Sequence, residues 1–174
     1  LDSPDVVARA RRGDRDAFEE LLRPVIEPAA RLAYGMLLDR AAAEDAVQEA
    51  ALKAWRRLGN LRHGSDFRPW FLGIVANQSR SSRRSRWWSV VRRDRFDTSV
   101  SSAQDSAERG IDLRRALRRL PAGQRAAILL HFYLDMPLDE VAQALGVSVA
   151  GVKSRINRGM KAMRPALQSY EAVT

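Results

Sequence analysis

The stretch Leu138–Met163, LDEVAQALGVSVAGVKSRINRGMKAM, limits what this chain can fold into more than any other. Leu138, Val141, Ala142 and Leu145 recur at the spacing that lines one face of a helix. Gly146 follows, and glycine enters the left-handed conformation that ends a helix without a steric penalty. Ser148 can accept from the free amides at the start of a second helix. On that helix Val149, Val152, Ile156 and Met163 are expected to face inward, and Ala150, Ser154, Asn157, Arg158 and Lys161 outward, with Lys153 and Arg155 on the flanks. Every charged residue from Val147 to Arg164 is basic. Ala142 is small where two helices must cross, and the turn glycine comes four residues later. That combination is the helix-turn-helix pattern, whose second helix enters the major groove of duplex DNA. A plain helical hairpin with a solvated basic face shares the periodicity. It does not require the small residue, the turn glycine and the acid-free second helix together.

The remaining bounds are broad. A chain of 174 residues with 45% hydrophobic content can bury a core as one domain or as two small ones. It has no cysteine, which excludes disulfides and thiol chemistry and fits a reducing compartment. His63 and His131 are far apart and lack ligand-spaced partners, so neither metal nor cofactor is expected. No run approaches the ~20 apolar residues of a membrane span, and no signal-peptide pattern is present, so a cytoplasmic location is expected. Leu1 in place of Met points to a trimmed start. The net charge is +9, gathered in residues 1–90 and 109–174 around a slightly acidic bridge. Two basic blocks suggest two polyanion contacts, although an arginine-rich coding bias would also raise the net charge.

In the N-terminal half, Asp14 can cap a helix carrying Ala17, Phe18, Leu21 and Leu22. Pro24 and Pro28 interrupt or restart it, and a helix over 28–38 is expected to turn Ala29, Ala33 and Leu37 inward. After a break at 39–43, a helix over 43–58 has Val47, Ala50, Ala51, Ala54, Trp55 and Leu58 inside. Glu44, Asp45, Gln48 and Glu49 cluster on its other side. Two explanations stand for that cluster: complementing the helix dipole, or docking a basic protein helix. A loop over 59–66 precedes a helix whose apolar face is Phe67, Trp70, Phe71, Ile74 and Val75. Asn77 begins a polar run with Arg80, Arg83, Arg84 and Arg86, followed by Trp87 and Trp88. Arginines beside aromatic rings suit separated DNA strands; tryptophans that close a core are the alternative.

Residues 89–108 are serine-rich and poor in large apolar residues, as a flexible linker would be. Beyond them a helix over 109–120 offers Ile111, Leu113, Ala116, Leu117 and Leu120 to a core. Pro121 opens the next, which is expected to continue to about residue 134 with Ile128, Leu129 and Phe132 inside. Pro137 then breaks the chain before the helix-turn-helix. The expected fold is all-α: two small helical domains, 1–88 and 109–174, joined by the 89–108 linker. No phosphate loop, nucleophile motif or carboxylate pair suggests catalysis.

In this order the segments resemble the extracytoplasmic-function sigma factors of bacterial RNA polymerase, over about residues 13–167. The likeness rests on Gly13-Asp14 with Ala17-Phe18; on Glu44-Asp45-Ala46-Val47-Gln48-Glu49; and on Phe67-x-x-Trp70 with Ile74 and Asn77. It continues with Leu120-Pro121, Glu140-Val141-Ala142, Leu145-Gly146-Val147 and Val152-Lys153-Ser154-Arg155. Three positions depart from the family's usual pattern: Ser81 stands where an acidic residue is usual, Ala150-Gly151 where Gly-Thr is, and Ala50-Ala51 lacks a common aromatic.

The resemblance implies roles. Glu44, Asp45, Gln48 and Glu49 would dock on the clamp helices of the polymerase β′ subunit. The loop 61–66, including Asp66, with Phe67, Trp70, Asn77, Arg80, Arg83 and Arg84, would capture and hold the opened −10 strand. Ser148, Lys153, Ser154, Arg155, Asn157, Arg158 and Lys161 would read the −35 duplex, with their domain on the β flap. Promoter DNA, core polymerase and an anti-sigma factor are the implied partners, the last a possible tether to the inner face of the membrane. A stand-alone regulator with a sensory N-terminal domain is the competing reading. It would need a ligand pocket or dimer face in place of the acidic helix and the basic–aromatic stretch.

Overall fold

The computed structural model describes residues 4–62, 64–91 and 106–171, with side chains described for residues 5–62, 64–82 and 113–167. Among them all regular structure is helical: α1 (Pro4–Arg11), α2 (Arg15–Leu22), α3 (Ile26–Leu37), α4 (Arg40–Arg57), α5 (Phe67–Val91), α6 (Ser106–Arg119), α7 (Ala122–Ile128), α8 (Leu138–Leu145) and α9 (Val149–Glu171). Helices α5 and α6 reach into both ends of the stretch read as a linker; residues 92–105 lie outside the described residues.

Local chemistry sets the boundaries. Asp14 has extended backbone and accepts from the Ala17 amide at 3.0 Å, the expected N-cap of α2. Arg9 ion-pairs with the same carboxylate at 2.7 Å, and Gly13 turns the corner with φ +93°. That carboxyl is held below its ordinary pKa of 3.8, first by the Ala17 amide and then by Arg9. The break expected over 39–43 is absent. Leu38 takes the left-handed conformation that ends α3, and Asp39 caps α4 at once through the Ala42 amide at 2.9 Å.

The N-terminal unit packs α3, α4 and α5 around Leu32, Phe71, Leu72 and Val75, all fully buried. Helix α4 presents Ala43, Ala46, Ala50 and Ala54, small enough for close helix approach. Phe67 stacks on Phe71 at 5.6 Å and meets the edge of Phe18 at 6.1 Å; Phe18 also meets Trp55 edge-on at 5.1 Å. In the C-terminal unit, α9 crosses α7 at Gly159, where a Cβ would lie 2.6 Å from Ile128 Cδ1. Leu120, Ile128 and Met163 are buried between α6, α7 and α9.

Two inward assignments are corrected here. Helix α7 runs on as a π-helical turn, Leu129–Tyr133, closed by Leu134 N–H to Leu129 C=O at 3.0 Å. The wider turn advances the register, so Leu130 is buried and Phe132 is 54% exposed. Val149 is 37% exposed, because the first residue of α9 lies beyond the helices it would pack on; Val152 and Ile156 carry the contact.

The two units form one continuous core. Helix α8 lies on α5 so closely that a Cβ on Gly73 would come within 2.2 Å of the Ala144 carbonyl oxygen. A Cβ on Gly35 would meet Leu129 Cδ1 at 2.8 Å. Arg125, 1% exposed, donates from Nη1 to the Met36 carbonyl at 2.6 Å and from Nη2 to the carbonyls of Arg118 at 2.6 Å and Leu120 at 3.1 Å. Arg68 reaches from α5 to the Leu134 carbonyl at 3.2 Å and to Glu140 at 3.5 Å.

Gly73→Ala is expected to lower unfolding stability by about 1–3 kcal/mol, because the obstruction is backbone that cannot swing away. Urea denaturation measures it. Gly59→Ala, where a Cβ meets nothing within 4 Å, is the control and is expected to stay within about 1 kcal/mol of wild type. Asp14 gives a pH test. Its folded pKa is depressed, so its charge stabilises the fold above the ordinary value of 3.8 and the stabilisation is lost as pH falls through the folded pKa. The gap in unfolding midpoint between wild type and Asp14→Asn is expected to be present at neutral pH and to close on acidification below that range.

Candidate nucleic-acid interface

The surface of α9 is built from the inside out. Val152, Ile156 and Met163 are buried and fix the rotation of the helix. Lys153, Ser154, Asn157, Arg158 and Lys161 are thereby left exposed on one side. Ser148 Oγ accepts from the Gly151 amide at 3.1 Å and caps the helix. Arg158 lies back along the helix, its Nε donating to the Ser154 carbonyl at 3.3 Å. Arg155 is half-buried, with its guanidinium against α7 at Gly123, 3.5 Å from where a Cβ would stand. Lys153, Arg158 and Lys161, the other basic side chains of α9 assigned to DNA, are exposed. Among the described side chains of α9 none is acidic, so the surface suits a phosphate backbone and the base edges of a groove.

On α4, burial of Ala46, Val47 and Ala50 turns Glu44, Asp45, Gln48 and Glu49 to solvent. Glu44 is paired with Arg40 at 3.0 Å. One turn further on, Leu52 is 51% exposed beside this acidic face. The sequence reading did not single it out. The available signal was its place outside the inward set of α4, where a large apolar side chain has no core to fill.

The loop after α4 and the start of α5 give the third surface. Trp70 is half-buried, its ring 5.8 Å from Phe67. With Asn60, Leu61, Arg62 and Ser65 it lines a cavity of about 590 Å³. The opposite wall is Gln143 and the helix-turn-helix turn, Gly146 to Ser148. Asp66 is exposed at the rim of the loop. Phe67 is a correction: it is fully buried in the aromatic core and offers no face to a base, because the α5 periodicity that exposes part of Trp70 turns Phe67 inward. Asn77 and Arg80 are exposed and joined, Arg80 Nη2 donating to Asn77 Oδ1 at 3.2 Å. Ser81 donates to the Asn77 carbonyl at 3.1 Å, so its hydroxyl serves its own helix. The side chains of Arg83, Arg84, Arg86, Trp87 and Trp88 lie outside the described residues, as does His63. His131 is half-buried, with Nδ1 2.8 Å from the Met136 carbonyl.

Among the described residues, no group of three or more His, Asp or Glu side chains could hold a metal, and no helix is long and apolar enough to cross a membrane. The geometry offers three candidate surfaces: a basic one on α9, an acidic one on α4 with exposed Leu52, and a pocketed loop beside the Trp70 indole that meets the first at Ser148.

Comparison with known proteins matches two segments of the chain to family models. The family model for sigma-70 region 2 matches residues 17–89, and that for sigma-70, region 4 matches residues 111–163. RNA polymerase sigma factor NccH of Alcaligenes xylosoxydans xylosoxydans is 30% identical over 173 residues, covering 94% of this chain and 93% of that protein. The ECF RNA polymerase sigma factor SigM of Mycobacterium tuberculosis is 33% identical over 156 residues, covering 88% of this chain and 79% of that protein. Among solved structures, sigma factor RpoE in complex with the anti-sigma factor NepR, from Bartonella quintana, aligns with a TM-score of 0.69 at 27% identity, over 87% of this chain and 96% of that one. CnrH in complex with the cytosolic domain of CnrY aligns with a TM-score of 0.72 over 97% of this chain and 99% of that one; at 24% identity that likeness concerns the fold.

Proposed function

The chain belongs to the RNA polymerase sigma factors of the extracytoplasmic-function type, which direct core polymerase to specific promoters, and we propose how its surfaces divide that work. The carrying observation is that one chain holds an exposed acidic cluster on α4 and, on α9, an exposed stripe whose charged residues from Lys153 to Arg164 are all basic.

In this reading Glu44, Asp45, Gln48 and Glu49 dock on the β′ clamp helices, with Leu52 as the apolar centre of the contact. Residues 1–88 form the docking and −10 unit, 89–108 the linker, and 109–174 the −35 unit, seated on the β flap. Trp70, Asp66, Asn77 and Arg80, with Arg83 and Arg84, hold the opened −10 strand; opening it costs a few kcal/mol per unstacked step. Ser148, Lys153, Ser154, Arg155, Asn157, Arg158 and Lys161 face the −35 groove. The chain does no chemistry of its own and acts in the cytoplasm.

Promoter elements named −10 and −35 lie some 25 base pairs apart, or ~85 Å at 3.4 Å per step. Gly73 of α5 and Ala144 of α8 are in direct contact. The two units therefore separate before both elements are held at once, and the packed form is the resting one. A chain of 14 residues, the number between Val91 and Ser106, spans at most ~50 Å, enough to bridge two units that each cover part of the distance. The similar sigma factor RpoE is solved in complex with an anti-sigma factor, NepR; for this chain such a partner would bind the packed form and cover the α4 face.

Run-off transcription with sigma-free core polymerase on a promoter library tests the reading. Initiation at a defined subset, dependent on the chain, is expected; specific duplex binding by the free chain with no initiation would instead mark a stand-alone regulator. Reversing Asp45 and Glu49 to Lys is expected to abolish core binding with helicity unchanged, as measured by competition for core and circular dichroism. Asn157→Ala and Arg158→Ala are expected to weaken initiation selectively at the −35 sequence, by about 1–3 kcal/mol where a base edge is read. Equal losses on all −35 sequences would mark phosphate contacts.

A further inference from the structure

We infer that Arg11 is a positioning residue for the loop 61–66, so that a helix preceding both matched family segments sets the base preference of that loop. The inference rests on the proposed −10 role of the loop.

Helix α1 is held firmly enough to aim a side chain. Ala10 is buried in the core, and Val6 and Val7 pack against it. The corner into α2 is fixed by Gly13 at φ +93° and by the Asp14 carboxylate, which binds Arg9 and the Ala17 amide together. Arg11, in the last turn of α1, then donates from Nη2 to the Leu61 carbonyl, fifty residues away in the chain.

Leu61 is the first residue of the loop. Its side chain is 2% exposed and its amide donates to Leu58 at 3.1 Å, so the side chain and N–H are anchored by the core and the preceding turn. The carbonyl is anchored by Arg11. A peptide unit is planar, so fixing the Leu61 carbonyl also fixes the Arg62 amide and the direction in which the loop leaves the core. The loop closes on itself through Ser65 N–H to the Arg62 carbonyl at 3.1 Å, with Gly64 at φ +76°. Leu61, Arg62 and Ser65 are also walls of the cavity beside Trp70. Rotating the 61–62 peptide would re-aim Arg62 and Ser65 together against the fixed Leu61 side chain. A guanidinium suits this role because it stays charged and presents its donors in a rigid plane.

The experiment is run-off transcription with the reconstituted holoenzyme on promoters carrying each of the four bases at each −10 position. Four chains are compared: wild type, Arg11→Ala, Arg11→Lys, and the loop variant Asp66→Ala. Core affinity, −35 preference and unfolding midpoint are measured alongside. The inference expects Arg11→Ala to flatten base preference by about fivefold or more at the position that Asp66→Ala also flattens. Arg11→Lys, which keeps a donor, is expected to be intermediate, with core affinity and −35 preference at wild-type levels. If Asp66→Ala flattens a position and Arg11→Ala leaves that profile intact, or lowers initiation equally for all bases, the positioning role is overturned while the loop assignment stands. If Asp66→Ala flattens nothing, the loop assignment itself is overturned, and this inference with it. Should Arg11→Ala fail to fold, the comparison of Arg11→Lys with wild type decides between the same outcomes.

Discussion

The Arg125 guanidinium closes on three backbone carbonyls, and those carbonyls come from the ends of helices in both units. Met36 lies in the last turn of α3; Arg118 and Leu120 lie at the end of α6. Helix C-termini leave carbonyls without intrahelical donors and carry the negative end of the helix dipole. A buried cation is tolerated only where such groups compensate its lost hydration. Arg125 therefore turns two helix ends that would otherwise need water into one dry junction. Packing between the units follows from it: Gly35 can sit under Leu129, and Gly73 can meet the Ala144 backbone, only because α7 and α8 are held at that distance from α3 and α5.

This junction bears on promoter recognition through what it covers and what it leaves open. The acidic face of α4 and the outer stripe of α9 are both exposed in the packed form. In the proposed mechanism, first contact with a polymerase or with a duplex therefore requires no rearrangement. What the packed form places against the helix-turn-helix turn is the cavity beside Trp70, between Asn60–Ser65 and Gly146–Ser148. In the proposed mechanism, strand capture there needs the two units apart, and polymerase can drive that step only by binding the separated form more tightly than the packed one. Two surfaces of the core enzyme, one for each unit, supply such a preference, and the linker keeps the second contact intramolecular once the first is made.

How much of this was legible in the sequence depends on whether a residue's role is local. The Asp14 cap, the Gly146 turn, the buried Val152 and Ile156 and the exposed Asp45 and Gln48 all follow from neighbours within one or two helical turns, and periodicity places them. Phe132 was misplaced because a π turn changes the register, and nothing in a 3.6-residue pattern announces where the extra residue is absorbed. Periodicity puts both Phe67 and Trp70 on the apolar face, and the DNA role of Phe67 comes from the resemblance alone; the contacts of Phe67 with Phe18 and Phe71 show that it is the sealed one of the two. Arg125 is one of 30 basic residues, and Gly73 is a glycine inside a helix. Their meaning lies in partners from the other unit, which no local pattern contains.

The charge distribution makes the same point. A net charge of +9 favours binding to any polyanion, and by itself it would hold the chain on non-specific DNA. The fold places the all-basic stretch Lys153–Arg164 on α9 and Glu44, Asp45 and Glu49 on α4, where Arg40 offsets Glu44 and Asp45 and Glu49 carry the negative charge. DNA phosphates repel the α4 surface, and a basic partner helix is repelled by α9. Each surface thus rejects the other's ligand electrostatically before any shape is matched, which suits surfaces that must be occupied together by different macromolecules. In the proposed mechanism, specificity within each surface falls to the side chains that burial has oriented: Asn157 and Arg158 beyond Val152 and Ile156, and Gln48 with Leu52 beyond Val47 and Ala50.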